Sequence, residues 1–177
     1  DQVDEQTVEA AKLLFLNYPN NPTSAVATPE FFAETVAFAK QHQICVAQDF
    51  AYGTIGFDGE RPLSFLQTPG AKEVGVEFFT LSKSHNMAGW RMGFAVGNVS
   101  VIESLNLLQD HIGCGYYGGI QRAAAKALTG DQSSVRNLTA TYERRRDLFL
   151  KELESTAFKF NKPKGSFYIW LKAPEGF

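Results

Sequence analysis

Lys83 and Arg91 stand eight residues apart in the stretch Phe79-Thr80-Leu81-Ser82-Lys83-Ser84-His85-Asn86-Met87-Ala88-Gly89-Trp90-Arg91-Met92-Gly93. The lysine follows an apolar, strand-like run and is flanked by hydroxyls. That is a poor place for a solubilising charge and a good one for chemistry. An amine held at the end of an apolar strand loses hydration and becomes available as a nucleophile toward a carbonyl. Arg91 offers a planar fork that matches a phosphate bidentately, and Thr80 and Ser82 add two hydroxyls for the same anion. An arginine after Trp90 in a glycine-rich turn can equally stack on the indole or pair with a surface carboxylate. Two further polar clusters accompany the pair. One is Asn17-Tyr18-Pro19-Asn20-Asn21-Pro22-Thr23, where two prolines restrict the backbone and Asn21 offers an amide donor. The other is Asp49-Phe50-Ala51-Tyr52. Taken singly, the first reads as a proline-rich turn and the second as a capping aspartate.

The elements that must position these residues are short apolar runs alternating with helical patterns. The runs are Leu13 to Leu16, Ile44 to Ala47, Phe78 to Leu81 and Gly93 to Gly97. This alternation predicts βαβ units and a mainly parallel sheet. Each polar cluster adjoins a run, and ligands of an open α/β sheet bind at the carboxyl ends of its strands. Thr28 followed by Pro29 predicts a helix start, with Phe31, Phe32, Thr35, Val36, Phe38 and Ala39 as its buried stripe. Further helices are expected from about Val101 to Asp110, from Ile120 to Leu128 with Gly130 as its stop, and from Ser133 to about Leu153. The pattern then changes to strand segments, Phe158-Lys159-Phe160 and Ser166 to Leu171, around Lys162-Pro163-Lys164-Gly165. We therefore expect a first domain over residues 1–144 and the start of a second over 145–177. The chain reads as the middle of something larger.

A length of 177 residues suffices for one substantial core, and a net charge of -2 with no basic tract argues against a nucleic-acid surface. Cys45 and Cys114, the only cysteines, are too far apart in sequence to suggest a CxxC metal site or a disulfide framework. No metal is expected, and a reducing cytoplasmic setting is. No apolar run approaches the roughly 18 residues of a membrane span. The opening Asp1-Gln2-Val3-Asp4-Glu5 lacks the basic and apolar regions of an export signal.

Together, Asn-Tyr-Pro-Asn-Asn-Pro-Thr, Asp-Phe-Ala-Tyr and Ser-Lys-Ser-His-Asn-Met-Ala-Gly-Trp-Arg-Met-Gly resemble, in order and spacing, the fold type I, class I/II aminotransferases of the aspartate aminotransferase superfamily. The resemblance covers nearly the whole chain. It implies an α/β fold with a three-layer αβα large domain, followed by a smaller α+β domain, and pyridoxal 5'-phosphate as cofactor. It further implies that Lys83 carries the cofactor as a Schiff base and later moves the proton, and that Asp49 pairs with the pyridine nitrogen. Asn21 and Tyr52 would donate to the phenolic oxygen, while Arg91, Thr80 and Ser82 would bind the phosphate. The implied reaction moves an amino group from an amino acid to a 2-oxo acid, in a homodimer. Gln109 to Gln121 fits the segment that approaches the partner's site in such dimers. It is closest to the LL-diaminopimelate-type subgroup and makes Tyr117 a candidate substrate contact, or else a packing residue. His85 and His111 are expected to be structural or surface residues.

The chain departs from the family at Ser24, where glycine is usual after Asn-Pro-Thr; if the position needs a positive φ, serine is strained there. The phosphate-binding glycine-rich loop and the ring-stacking aromatic are expected before Asp1, and the arginine for the substrate carboxylate beyond Phe177. A carbon-sulfur β-lyase of the same fold would share Lys83, Asp49 and Arg91. A non-catalytic regulatory module or inactive fragment would keep the same motifs.

Overall fold

The computed structural model describes residues 3–113 and 115–176. After a short helix α1 (Glu5–Ala10), strand β1 (Leu13–Asn17) leads through helix α2 (Pro29–His42) to β2 (Cys45–Asp49). Helix α2 begins where Thr28 accepts a hydrogen bond from the Phe31 amide at 3.2 Å, with Pro29 in the first turn. It ends at Gln43 in the left-handed conformation. Phe32, Thr35, Val36 and Ala39 are its buried stripe, and with Val46, Phe65 and Ala71 the apolar members form the main core. Leu14 and Leu16 of β1 pack against that cluster. Phe38 lies outside the expected stripe: it is 37% exposed and stacks on His42 at 4.6 Å between ring centroids. The chain between β2 and the next strand carries a 3-10 turn at Phe65–Gln67 and the short helix α3 (Ala71–Val74).

Strand β3 (Gly75–Thr80) is followed by one helical turn, α4 (Leu81–Ser84), and by β4 (Gly93–Gly97). The sheet order is β1-β2-β3-β4, with the first two pairings parallel and the last antiparallel. The expectation of a mainly parallel sheet is met. The connection over residues 81–92 holds only the single turn α4 and a 3-10 turn, with no helix long enough to cross the sheet face, and β4 returns antiparallel beside β3. Helices α5 (Val99–Ile112), α6 (Gly118–Thr129) and α7 (Ser133–Leu153) follow, close to the expected spans, and Gly130 is the C-cap of α6. Cys114 lies outside the described residues.

Beyond α7, β5 (Lys159–Phe160) pairs with β6 (Leu171–Lys172). The expected strand from Ser166 to Leu171 is therefore reduced to its end. Ser166 takes a φ of +60°, and Gly165 forms an isolated antiparallel bridge with Gly56. Residues 165–168 thus lie against the chain that follows β2. There Tyr52, Ile55 and Phe57 form a second buried cluster with Tyr142, Phe167 and Tyr168 packed around it. Arg146 ties the same three segments together. Only 4% exposed, it makes hydrogen bonds of 2.9 and 3.1 Å to both Asp58 carboxylate oxygens. It also donates to the Pro163 carbonyl at 2.9 Å and lies over the Phe57 ring at 4.6 Å.

Candidate functional site

Sheet register gathers the three sequence stretches at one end. Asn17 pairs with Asp49, Asp49 with Phe78, and Thr80 with Gly93. The carboxyl ends of the three parallel strands therefore meet the amino end of the reversed β4. Asn17 fastens two of the clusters to each other, since its amide nitrogen donates to the Asp49 carbonyl at 3.1 Å and its amide oxygen accepts from the Asn21 N–H at 2.8 Å. The Asp49 carboxylate is exposed and accepts from the Ala51 amide at 3.0 Å.

Tyr52 is buried, 4% exposed, and its hydroxyl lies 3.0 Å from that of Tyr168. Burial pushes the Tyr52 hydroxyl well above the usual tyrosine value, and the charge of Asp49 pushes in the same direction. The nearby Asn21 side chain pushes the other way. Asn21 and Asp49 thus both lie within electrostatic reach of Tyr52.

Lys83 sits in α4, whose N-cap Thr80 accepts from the Ser82 amide at 3.1 Å and donates to the Met92 carbonyl at 3.3 Å. The Thr80 hydroxyl thereby pins the start of the lysine turn to the end of the arginine loop. The ammonium of Lys83 lies 5.6 Å from the centre of the Phe167 ring. That ring meets Tyr52 edge-on, at 5.2 Å and 90°. Arg91 is exposed, has a φ of +53°, and donates to the Ala88 carbonyl at 3.1 Å. Neither Lys83 nor Arg91 forms an ion pair among the described residues, and Arg91 makes no ring contact with Trp90 there. Both plainer roles foreseen for the arginine are thus absent among those residues.

His85 is half-buried and pairs its Nδ1 with Ser84 at 2.7 Å, a structural contact. Tyr117 is 76% exposed at the N-terminus of α6, and no hydrogen bond or ring contact among the described residues joins it to the others. The described residues contain no cluster of three or more His, Cys, Asp or Glu able to hold a metal ion.

Sequence reasoning missed Phe167, Tyr168 and the contact that holds them. Ser24, at a φ of +59°, is 2% exposed and donates its hydroxyl proton to the Tyr168 carbonyl at 2.7 Å. Its oxygen lies 2.7 Å from the Ser166 hydroxyl, which must then be the donor, because a serine has one proton to give. The position does require a positive φ, and the serine found there uses its hydroxyl as a clasp.

A family profile described as aminotransferase class I and II matches residues 1–175. The chain belongs to this family. The L-glutamine--4-(methylsulfanyl)-2-oxobutanoate aminotransferase of Bacillus subtilis is 56% identical over 169 residues, which cover 96% of this chain and 42% of that protein. An LL-diaminopimelate aminotransferase of Halothermothrix orenii is 47% identical over 99% of this chain and 45% of its own length. Among solved structures, substrate-bound BacF from Bacillus subtilis matches with a TM-score of 0.94 at 48% identity, over 99% of this chain and 45% of that one. The chain spans less than half the length of these relatives. Class I and II aminotransferases depend on pyridoxal phosphate, and the donor set of this member fits that group. Two cations without carboxylate partners among the described residues suit an aldehyde and a phosphate, a neighbouring amide and hydroxyl suit an anionic oxygen, and an exposed carboxylate suits a protonated ring nitrogen.

Proposed function

We propose that the protein carrying this chain is a transaminase that moves an amino group from an amino acid to a 2-oxo acid, with Lys83 as its catalytic amine. What supports this most is that one end of the sheet collects Asn21, Asp49, Tyr52, Lys83 and Arg91 from three separate stretches of sequence. Pyridoxal phosphate, when bound, supplies an aldehyde that condenses with amines and a ring that takes up the electrons left when a substrate loses its α-proton. Lys83 Nζ is the amine that holds the cofactor at rest and then carries the proton to and from the substrate's α-carbon. The Asp49 carboxylate keeps the ring nitrogen protonated, and the Asn21 amide with the Tyr52 hydroxyl donates to the phenolic oxygen. Arg91, Thr80 and Ser82 hold the phosphate, Thr80 by turning to it the one proton that it gives here to the Met92 carbonyl, and the face of Phe167 helps to steady the Lys83 ammonium. Relatives are named for a glutamine donor and for LL-diaminopimelate, so donors and acceptors of that general class are the natural candidates.

In this reading residues 1–144 belong to the large domain and 145–177 begin the small one, with α7 running unbroken across the boundary. We place the protein in the cytoplasm, a setting that two cysteines in 177 residues suits. No helix among the described residues is long and apolar enough to cross a membrane. A homodimer suits the exposed apolar residues Leu107, Leu108 and Ile112 of α5, and the exposed Tyr117, which follows that helix, is the candidate substrate contact.

Borohydride reduction of the intact, cofactor-loaded protein, followed by peptide mapping, should place the label on Lys83; a label on any other lysine overturns the assignment. Consumption of an added 2-oxo acid is the expected activity. Release of pyruvate and ammonia from L-cystathionine would instead mark a lyase.

A further inference from the structure

We propose that Tyr168 is a positioning residue for Tyr52, acting as the donor that turns the Tyr52 proton into the cofactor site. The proposal rests on the transaminase reading above. The two hydroxyls lie 3.0 Å apart, and Tyr52 is almost fully buried. A phenol has one proton and can accept from others. If Tyr52 spent its proton on Tyr168, it would have none for an anionic oxygen beside Asn21. With Tyr168 as donor, the Tyr52 oxygen accepts on one side and donates on the other, and Asn21 adds a second donor to the same anion. Accepting a bond also makes the Tyr52 hydroxyl a stronger donor, because consecutive hydrogen bonds polarise one another.

The geometry around Tyr168 suits a fixed donor. Ser24 holds its carbonyl at 2.7 Å, and Ser166 in turn donates to Ser24. The rings of Tyr52 and Tyr168 meet edge-on, 5.8 Å apart at 79°, while Phe167 lies 4.9 Å from Tyr168 and 5.2 Å from Tyr52. Two of the three aromatic neighbours are thus locked from a segment more than 100 residues away in sequence. Phenylalanine at position 168 would keep these ring contacts and remove only the hydroxyl.

The test is a pH titration of the bound cofactor's visible absorbance in the intact protein, for wild type, Tyr52→Phe, Tyr168→Phe and the double variant. Donors to the phenolic oxygen stabilise its anion and lower the midpoint of that titration. Tyr168→Phe should raise the midpoint by roughly half a pH unit, and Tyr52→Phe by more. In the Tyr52→Phe background, Tyr168→Phe should add no shift. An unmoved midpoint in Tyr168→Phe, or an equal shift in both backgrounds, overturns the relay while leaving the transaminase reading intact. A wild-type protein with no cofactor band overturns both.

Discussion

Replacing Ser24 by glycine and by alanine separates two opposing effects at one buried position. At a φ of +59° the residue occupies the left-handed region, where a side chain costs about 1 kcal/mol and glycine costs nothing. Its hydroxyl makes two bonds of 2.7 Å, one to the Tyr168 carbonyl and one from Ser166. A hydrogen bond of this kind contributes about 1 kcal/mol net, and a buried carbonyl left unpaired costs about 1–3 kcal/mol. Glycine loses both bonds and recovers the backbone strain, so Ser24→Gly should destabilise by about 1–2 kcal/mol. Alanine loses both and recovers nothing, which puts Ser24→Ala at about 2–4 kcal/mol. Equilibrium urea unfolding of the intact protein, followed by tryptophan and tyrosine fluorescence, measures both. The expected order is wild type, then glycine, then alanine, with about 1 kcal/mol between the variants. A glycine variant as stable as wild type would refute the reasoning, since the hydroxyl would then contribute no more than the strain it imposes.

Two other outcomes are expected. Hydrogen bonds from Arg146 and then Lys162 hold the Asp58 carboxyl down to about 2, below its ordinary 3.8. A depressed carboxyl stabilises above its unfolded value and loses that contribution as pH falls through the folded one. Wild-type Tm should therefore drop more steeply than that of Asp58→Asn between pH 4 and 2; Asp58 is 46% exposed, so the effect is about 1 kcal/mol, and parallel curves would sink the idea. For the cofactor, Arg91→Gln removes a charged donor to phosphate worth about 1.5–3 kcal/mol, which weakens Kd by roughly 10- to 150-fold. Titration of the apoprotein with pyridoxal phosphate by fluorescence quenching reads this directly, and an unchanged Kd would remove Arg91 from the phosphate site.

Much of this molecule is legible along the chain because its decisive signals are local. Thr28-Pro29 starts α2, the apolar runs mark all four strands of the main sheet, and polar clusters beside those runs lie at the same sheet end because parallel strands align their ends. Arg146 could also have been singled out among Arg144, Arg145 and Arg146, because it shares a helical face with Tyr142, Leu150 and Leu153. The contacts through Ser24, Ser166 and Tyr168 had no such signal. They join segments more than 100 residues apart, and a serine in a proline turn looks the same whether its hydroxyl meets water or another serine. Phe167 and Tyr168 read as an alternating strand, and only the left-handed Ser166 turns them toward Tyr52 instead.

The reversal of β4 gives the site a built-in ruler. Lys83 and Arg91 ride on one short loop whose ends, Thr80 and Gly93, are paired in the sheet, and the Thr80 hydroxyl ties that loop to Met92. The separation between the Lys83 and Arg91 backbones is therefore set by local chain geometry. The aromatic residues above Lys83 arrive on a distant segment. If that segment lifts or shifts, what covers the amine changes, but the spacing of the two backbone positions does not. In the proposed transaminase, a ligand is gauged first by the span between its electrophilic carbon and its anionic end, and only afterwards by the aromatic residues above Lys83.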